Sequence, residues 1–280
     1  MVEMFGILAA VISIVGWGSY FVPMKRLQKY DIFYFQALMA SGIFLSSLVF
    51  VALTGKFVIS GFGFLSGVLW AIANIIAAIA VQRSGLSKSM PIWASIAMLL
   101  SFFIGLGLGE GLNVFGLAVA GIVLSIAGIN IISFSGSTAG SSDKTGLVLA
   151  VIAGLIFGSY LLPLKLSGIA PADFLFSMSL GILAFGWLAF IIKRPKIDKS
   201  YIGNGLLSGI IWNVANFSSL FVVVLLGISI GFPITQTSLL VAVLWGVLYF
   251  KEIKESNSIV KIIIGAILLI IGAFLLGFSK

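Results

Sequence analysis

The chain has 280 residues, of which 61% are hydrophobic and 9% charged, and its mean hydropathy is +1.26. Soluble domains hold roughly 45–50% apolar and 25% charged residues, so this composition predicts an integral membrane protein. The sequence contains no cysteine and no histidine, which removes disulfides, thiolate metal sites and the commonest general base; we therefore expect neither an enzyme nor a metal or other cofactor. The net charge of +8 comes from basic residues at the ends of apolar runs, a pattern that argues against nucleic-acid binding.

Ten apolar runs follow one another along the chain, each close to the roughly 20 residues that a membrane-spanning helix needs. The first run carries Glu3, has no Lys or Arg in front of it and leads into no small-residue cleavage site. We interpret it as a spanning helix rather than a signal peptide. The sequence thus predicts an all-α integral membrane protein with ten transmembrane helices, at residues 4–24, 33–54, 62–81, 90–108, 114–134, 146–164, 172–192, 203–225, 232–249 and 259–278.

A polar stretch, SGSTAGSSDKTG, occupies the middle of the chain and is typical of a linker. We predict a first five-helix repeat at residues 1–135, a linker at 136–145 and a second five-helix repeat at 146–280. Because five is an odd number, the second repeat crosses the membrane in the opposite direction to the first. Inverted repeats of this kind are typical of secondary transporters, in which two similar halves exchange conformations around a site near the bilayer midplane.

Short motifs recur between the halves. GVLWAIAN, beginning at Gly67, matches GIIWNVAN, which begins at Gly209. Together with Gly63 and Gly205, these glycines form small-xxx-small faces, which predict close helix packing.

The basic residues are distributed unevenly between the two sides that ten helices define. Only Lys56, Lys165 and Lys280 fall on one side. The positive-inside rule therefore places both termini outside the cell and the central linker in the cytoplasm. The other 13 are Lys25, Arg26, Lys29, Arg83, Lys88, Lys144, Lys193, Arg194, Lys196, Lys199, Lys251, Lys254 and Lys261.

One octapeptide occurs twice in nearly the same form, as GSYFVPMK from Gly18 and as GSYLLPLK from Gly158. Its glycine permits close backbone approach, its proline removes a helical hydrogen bond, and its lysine follows where the helix meets the headgroups. Membrane helices also tolerate Gly and Pro, and Lys can snorkel, so one copy alone would mean little. Two copies in opposite orientation favour a role in gating or helix bending, rather than in substrate contact, for Gly18, Pro23, Lys25, Gly158, Pro163 and Lys165.

Polar residues within spanning helices are costly and therefore informative. Trp70 and Asn74 share one helix face, and Trp212 and Asn216 share another, because each pair is spaced i, i+4. An indole face can cover the C–H face of a sugar while a carboxamide binds its hydroxyls, so the pairs predict sugar binding. The alternative is that the asparagines only bridge helices.

The fourth and ninth helices place further polar residues shortly after a proline. Trp93 follows Pro91, and Thr235 and Gln236 follow Pro233. We predict that they contact substrate, with Gln236 the strongest single candidate.

Acidic residues bear on ion coupling. Glu110 and Glu252 end the fourth and ninth helices and could bind a coupling proton, although an interfacial carboxylate without that role is the favoured interpretation. No acid lies mid-membrane, so facilitated diffusion of a neutral solute is at least as well supported as proton symport.

The combination of WGSYFVPMK on the first helix, proline-led fourth and ninth helices ending in Glu, and G-x6-G helices after them resembles the drug/metabolite transporter superfamily with its two EamA-type five-helix repeats. The repeated octapeptide and W-x3-N look most like its glucose/ribose porter branch of sugar-uptake and transmembrane carbohydrate transporters. The resemblance covers nearly the whole chain. It implies a central cavity lined by helices 1, 3, 4, 6, 8 and 9, with the following residues near substrate: Trp17, Ser19, Asn74, Ser159, Asn216 and Gln236.

The sequence therefore predicts a cell-membrane carrier that moves a neutral monosaccharide, glucose-, ribose- or rhamnose-like, by alternating access. Its expected partners are that small-molecule substrate and the lipid bilayer; the oligomeric state stays open. The alternative is an exporter of amino acids or other small metabolites from the same superfamily. A membrane enzyme would cluster acids or metal ligands at one depth, and a scaffold would not need two inverted halves.

Overall fold

The computed structural model describes residues 2–27, 30–55, 57–84, 86–135, 143–250 and 256–279. Over these ranges the chain is helical, with no β-strand and a π-helical turn at Trp245–Tyr249. The helices are α1 (Val2–Ser19), α2 (Val22–Lys25), α3 (Ile32–Thr54), α4 (Gly61–Ser84), α5 (Leu86–Gly107), α6 (Phe115–Ser135), α7 (Lys144–Ser159), α8 (Leu162–Ser167), α9 (Pro171–Lys193), α10 (Tyr201–Leu226), α11 (Ile228–Thr235), α12 (Ser238–Leu244) and α13 (Ser256–Phe278).

These helices form ten segments long and apolar enough to cross a bilayer, of 18 to 26 residues each. Three segments are interrupted: α1 continues into α2, α7 into α8, and α11 through α12 into the π-helical turn. The predicted all-α fold and its ten spans are confirmed. Most of the predicted linker at 136–145 lies outside the described residues, and its last two residues already belong to α7.

The ninth span begins four residues earlier than the apolar pattern predicts, at Ile228 instead of residue 232. Gly227 separates α10 from α11 with a φ of +85°, a left-handed conformation that favours glycine. The carboxylate of Glu110 accepts hydrogen bonds from the N–H groups of Ile228 and Ser229, both at 2.9 Å, and from Ser229 Oγ at 2.7 Å. It satisfies the first N–H groups of α11 and interacts favourably with the helix dipole, which stabilises this early start.

One compact unit consists of Met1–Ile75 and Tyr160–Phe221. In it α4 packs on α9, and α10 packs on α3, through glycines where a side chain would collide with the facing backbone. A Cβ on Gly67 would meet the carbonyl of Met178, and a Cβ on Gly209 would meet that of Met39. This confirms the predicted close packing at these glycines. The facing residues correspond, because Met178 and Ile182 take the places on α9 that Met39 and Ile43 take on α3.

Contacts along these helices also fix their relative directions. Residue numbers rise together along α4 and α9, since Gly63 lies by Phe174 and Gly67 by Ile182. They rise together along α3 and α10, where Leu38 lies by Gly205 and the ring of Phe50 contacts that of Phe217. Along α3 and α9 they run oppositely: Gln36 lies by Gly186, whereas the ring of Phe44 contacts that of Phe176. It follows that α4 and α10 are antiparallel.

The other compact unit consists of Ile76–Ser159 and Val222–Lys280. Here α6 and α13 cross at matched glycines: a Cβ on Gly121 would come 2.8 Å from the carbonyl of Gly272, and one on Gly128 would come 2.5 Å from that of Gly265. A buried core of α5, α6, α11, α12 and α13 surrounds this crossing, built from apolar residues such as Met98. The two compact units do not coincide with the predicted repeats, because each takes helices from both halves of the sequence.

Candidate functional site

The two Trp-x3-Asn motifs meet in the first compact unit. The rings of Trp70 on α4 and Trp212 on α10 have their centroids 4.0 Å apart and their planes inclined by 42°. Both side chains are buried, with 3% and 2% exposed. Two motifs from opposite halves of the sequence thus form one aromatic pair.

The asparagines of these motifs lie on opposite sides of the aromatic pair. Asn74 is one helical turn beyond Trp70 on α4, and Asn216 is one turn beyond Trp212 on α10. Because α4 and α10 are antiparallel, one turn further along each helix leads in opposite directions. The Trp70–Trp212 pair therefore separates two carboxamides.

Asn74 is held by a glutamine. Its Nδ2 donates a 2.5 Å hydrogen bond to Oε1 of Gln36 on α3. Gln36 is 2% exposed, and its Nε2 is buried without a hydrogen-bond partner among the described residues. Asn74 itself is half-buried.

Asn216 has a different environment. It is fully buried, its Nδ2 lies 3.4 Å from Sδ of Met178 on α9, and its Oδ1 has no hydrogen-bond partner within the described part of the chain. Asn213, on the adjacent face of α10, donates from Nδ2 to Ser46 Oγ at 2.9 Å and to Ser47 Oγ at 3.0 Å. Asn213 therefore joins α10 to α3 through its Nδ2, and the Oδ1 atoms of both Asn213 and Asn216 are buried without a partner among the described residues.

Trp17 and Ser19 lie in the last turn of α1, both half-buried. Directly before Trp17, Gly16 packs against α10, where a Cβ would come 2.6 Å from that of Ala215. The end of α1 is thus held beside the turn of α10 that carries Trp212 and Asn216.

Both copies of the octapeptide interrupt their helix at the same point. α1 ends at Ser19 and α2 begins at Val22; α7 ends at Ser159 and α8 begins at Leu162. The proline is the second residue of the new helix in each case, where its missing N–H costs little. Gly18 and Gly158 are buried, Lys25 is exposed and Lys165 half-buried.

A serine donates a hydrogen bond to a carbonyl in the second of these interruptions. Ser66 Oγ, on α4, donates a 2.5 Å hydrogen bond to the carbonyl of Tyr160. Ser208 occupies the matching place on α10, since it directly precedes Gly209 as Ser66 precedes Gly67. It is fully buried, and its Oγ has no partner among the residues that the structure describes.

The remaining candidates lie in the second compact unit. Ser159 Oγ donates to carbonyls of its own helix, and Thr235 Oγ1 donates to the carbonyl of Phe232 at 2.6 Å. Gln236 is half-buried in the turn that separates α11 from α12. Trp93 is half-buried on α5, and a Cβ on Gly154 would come 2.9 Å from its backbone.

A comparison with family models decides what kind of protein this is: the model described as "Sugar transport protein" matches residues 7–279. The chain belongs to the sugar transport protein family. With ten apolar helices, it is a multi-pass membrane protein and a transporter rather than an enzyme.

Named relatives agree with that family. The transporter is 24% identical to Transmembrane protein 144 homolog A of Dictyostelium discoideum over 98% of both chains. It is 26% identical to the probable glucose uptake protein GlcU of Staphylococcus epidermidis over 78% of both chains. The GlcU of Priestia megaterium is 24% identical, with 83% of this chain and 84% of that chain covered.

A solved crystal structure of a protein shares the fold of the transporter. It superposes with a TM-score of 0.74 over 96% of this chain and 95% of that chain, at 15% sequence identity.

Of the two glutamates considered for proton coupling, Glu252 lies outside the described residues. Glu110 is half-buried and its carboxylate is bound to the start of α11. In the transporter this carboxylate has a structural task, since it satisfies backbone N–H groups that would otherwise face the apolar interior.

Sequence reasoning missed Gln36, the residue that positions Asn74. The signal available was a single amide within the apolar run FYFQALMA. A polar residue inside a spanning helix is a functional-site hypothesis by default, but Gln36 has no counterpart in the second half and belongs to none of the repeated motifs.

Proposed function

We propose that this transporter moves a neutral monosaccharide, glucose-, ribose- or rhamnose-like, across the cell membrane by alternating access. The observation that carries the proposal is the buried Trp70–Trp212 pair with a carboxamide on each side. Aromatic faces cover the C–H faces of a sugar ring, and carboxamides donate to and accept from its hydroxyls. The names of the glucose uptake relatives support the same substrate class.

The arrangement suits access from alternating sides. A sugar that arrives on one side of the aromatic pair meets Trp70 and Asn74; on the other side it meets Trp212 and Asn216. Substrate passage therefore requires the aromatic pair to separate.

Two inverted five-helix repeats of the drug/metabolite transporter type would supply that movement. The matched glycine contacts of α4 with α9 and of α10 with α3, and the antiparallel course of α4 and α10, support this architecture. Within it, we propose that the helix interruptions after Gly18 and Gly158 act as bending points. The charge distribution supports external termini and a cytoplasmic linker.

The unequal serines support alternation between two conformations. Ser66 binds the carbonyl of Tyr160, whereas Ser208 has no described partner although it occupies the matching position. If the halves exchange conformations, Ser208 binds the carbonyl of Tyr20 in the alternate state and Ser66 is released. A carrier in one of its two states would show this inequality.

The positions of the acidic residues favour uniport over proton symport. Among the described spanning segments, acids lie only near helix ends, and Glu110 is bound to the start of α11. A protonatable group inside the pathway is what proton symport would need.

Uptake of radiolabelled glucose, ribose and rhamnose into proteoliposomes, with and without an inward proton gradient, tests this proposal. We expect gradient-independent sugar uptake that falls at least about tenfold in Asn74→Ala and in Asn216→Ala, because each loses a hydrogen bond to substrate. Asn213→Ala is the matched control, since that amide joins α10 to α3. Uptake of amino acids but no sugar would overturn the substrate class, and gradient-driven uptake would overturn uniport.

A further inference from the structure

We infer that Gln36 is a substrate-binding and specificity-determining residue, which together with Asn74 recognises two neighbouring hydroxyls of the sugar. This inference rests on the proposed function and adds a residue that the repeated motifs do not contain. It begins from Gln36 Nε2, a buried donor that has no hydrogen-bond partner in the described part of the chain.

The pairing of the two amides leaves complementary groups. Asn74 Nδ2 donates to Gln36 Oε1, so Asn74 Oδ1 remains as an acceptor and Gln36 Nε2 as a donor. If both amides were turned over, the same bond would leave one donor and one acceptor in exchanged places. A vicinal diol matches either arrangement, because one hydroxyl donates while its neighbour accepts.

A purely structural explanation fits Gln36 poorly. One interhelical bond between α3 and α4 needs only Oε1, yet Nε2 is also buried, and a buried donor without a partner is destabilising. A ligand hydroxyl in that place would satisfy it. The half-buried Asn74, on the α4 face that carries Trp70, places such a hydroxyl next to the indole.

The second half of the chain shows that the fold does not require an amide here. The glycine contacts align Met39 of α3 with Met178 of α9, and the same alignment of the two helices matches Gln36 with Leu175. Leu175 is 2% exposed, as Gln36 is. One half therefore packs a leucine where the other buries a glutamine, and Asn216 turns to the thioether of Met178 instead.

This correspondence supplies a pair of matched variants. Gln36→Leu introduces the residue that the other half uses. The control, Asn213→Ala, does the same for another buried amide of this unit, because the alignment of the two Trp-x3-Asn motifs matches Asn213 with Ala71, a residue with 0% exposure. Each variant removes one carboxamide at a position where the fold accepts an apolar residue.

The test is uptake kinetics in proteoliposomes with radiolabelled glucose and with competing 2-, 3- and 4-deoxyglucose. In the wild type we expect at least one deoxy sugar to compete about tenfold less well than glucose. In Gln36→Leu we expect the KM for glucose to rise about tenfold or more and that penalty to disappear, since the missing hydroxyl no longer has a partner. In Asn213→Ala the penalty should persist.

A second variant keeps the test decisive if Gln36→Leu does not fold. Gln36→Met retains the unbranched shape and offers Asn74 a thioether, as Met178 does for Asn216; it should lose the same discrimination. Unchanged KM and unchanged discrimination in a variant that still carries glucose would overturn the role of Gln36 alone. A wild-type protein that carries none of glucose, ribose and rhamnose but moves another solute would instead overturn the proposed function.

Discussion

Two serines at matching positions, Ser66 on α4 and Ser208 on α10, have unequal contacts. Ser66 donates to the carbonyl of Tyr160, which lies in the interruption between α7 and α8, while Ser208 is buried without a described partner. The glycines of the same two helices, in contrast, make equivalent contacts. The helix packing is thus duplicated between the halves, and the polar contacts at the interruptions are not, so the two classes of residue should respond differently to substitution.

The glycine contacts should give the largest effects, and the two should be alike. In Gly67→Ala the new Cβ would collide with the carbonyl of Met178, and in Gly209→Ala with that of Met39. Because backbone must move in both cases, we expect each variant to lose about 3 kcal/mol of stability or more. Thermal unfolding in detergent, followed by size-exclusion chromatography, measures the loss.

Gly203→Ala is the matched control for these glycine variants, because nothing lies within 4 Å of a Cβ at Gly203. It should unfold within a few degrees of the wild type. A marked difference between Gly67→Ala and Gly209→Ala would contradict the equivalence of the two packing contacts.

The serines should give intermediate effects of opposite sign. Ser66→Ala removes a bond present in this conformation and should shift the population away from it by roughly 2–10-fold, the worth of one net hydrogen bond. Ser208→Ala should leave this conformation untouched and weaken the alternate one, which shifts the population towards it.

Single cysteines can report that shift, because the chain has none of its own. Ser19→Cys and Ser159→Cys, at the ends of α1 and α7, would be labelled with a membrane-impermeant maleimide in the wild-type, Ser66→Ala and Ser208→Ala backgrounds. The two serine variants should change the labelling rates in opposite directions. Changes in the same direction would show that the serines do not distinguish two states.

Some of these features could be predicted from the sequence and others could not, for a physical reason. Ten spans follow from apolar runs, and the interruptions between α1 and α2 and between α7 and α8 follow from a motif in which glycine and proline occur twice. The start of α11 could not be predicted, because Glu110 is 118 residues away from the N–H group it accepts from. Nor could the inequality of Ser66 and Ser208, since it is a property of one conformation, and the sequence surrounding both serines is similar.

The smallest expected effect on stability concerns two carboxylates that lie near the ends of α4 and α10. Glu110 lies half-buried at the end of α10 and is bound to backbone N–H groups, whereas the side chain of Asp143 is 38% exposed and forms an ion pair with Arg83 of α4, with Nη1 and Oδ2 3.0 Å apart. The hydrogen bond from Arg83, with a further one from the N–H of Thr145, holds the pKa of Asp143 below its ordinary value. A carboxyl whose folded pKa is depressed contributes stability above its unfolded pKa of about 3.9, and that contribution is lost as the pH falls through the folded value.

Solvent screens this pair, so its contribution should be small. Asp143 stays ionised in both states roughly between pH 5 and pH 8. In that range we expect Asp143→Asn to unfold at nearly the same temperature as the wild type. The difference between the two unfolding temperatures should not vary with pH. Below about pH 4 the wild type should lose its small advantage while Asp143→Asn has none to lose. Asp198, whose pKa is lowered by the hydroxyl and N–H of Ser200, is present in both proteins and cancels in the difference. An advantage of the wild type that grew as the pH fell would contradict the ion pair, because protonation of Asp143 can only weaken its attraction to Arg83.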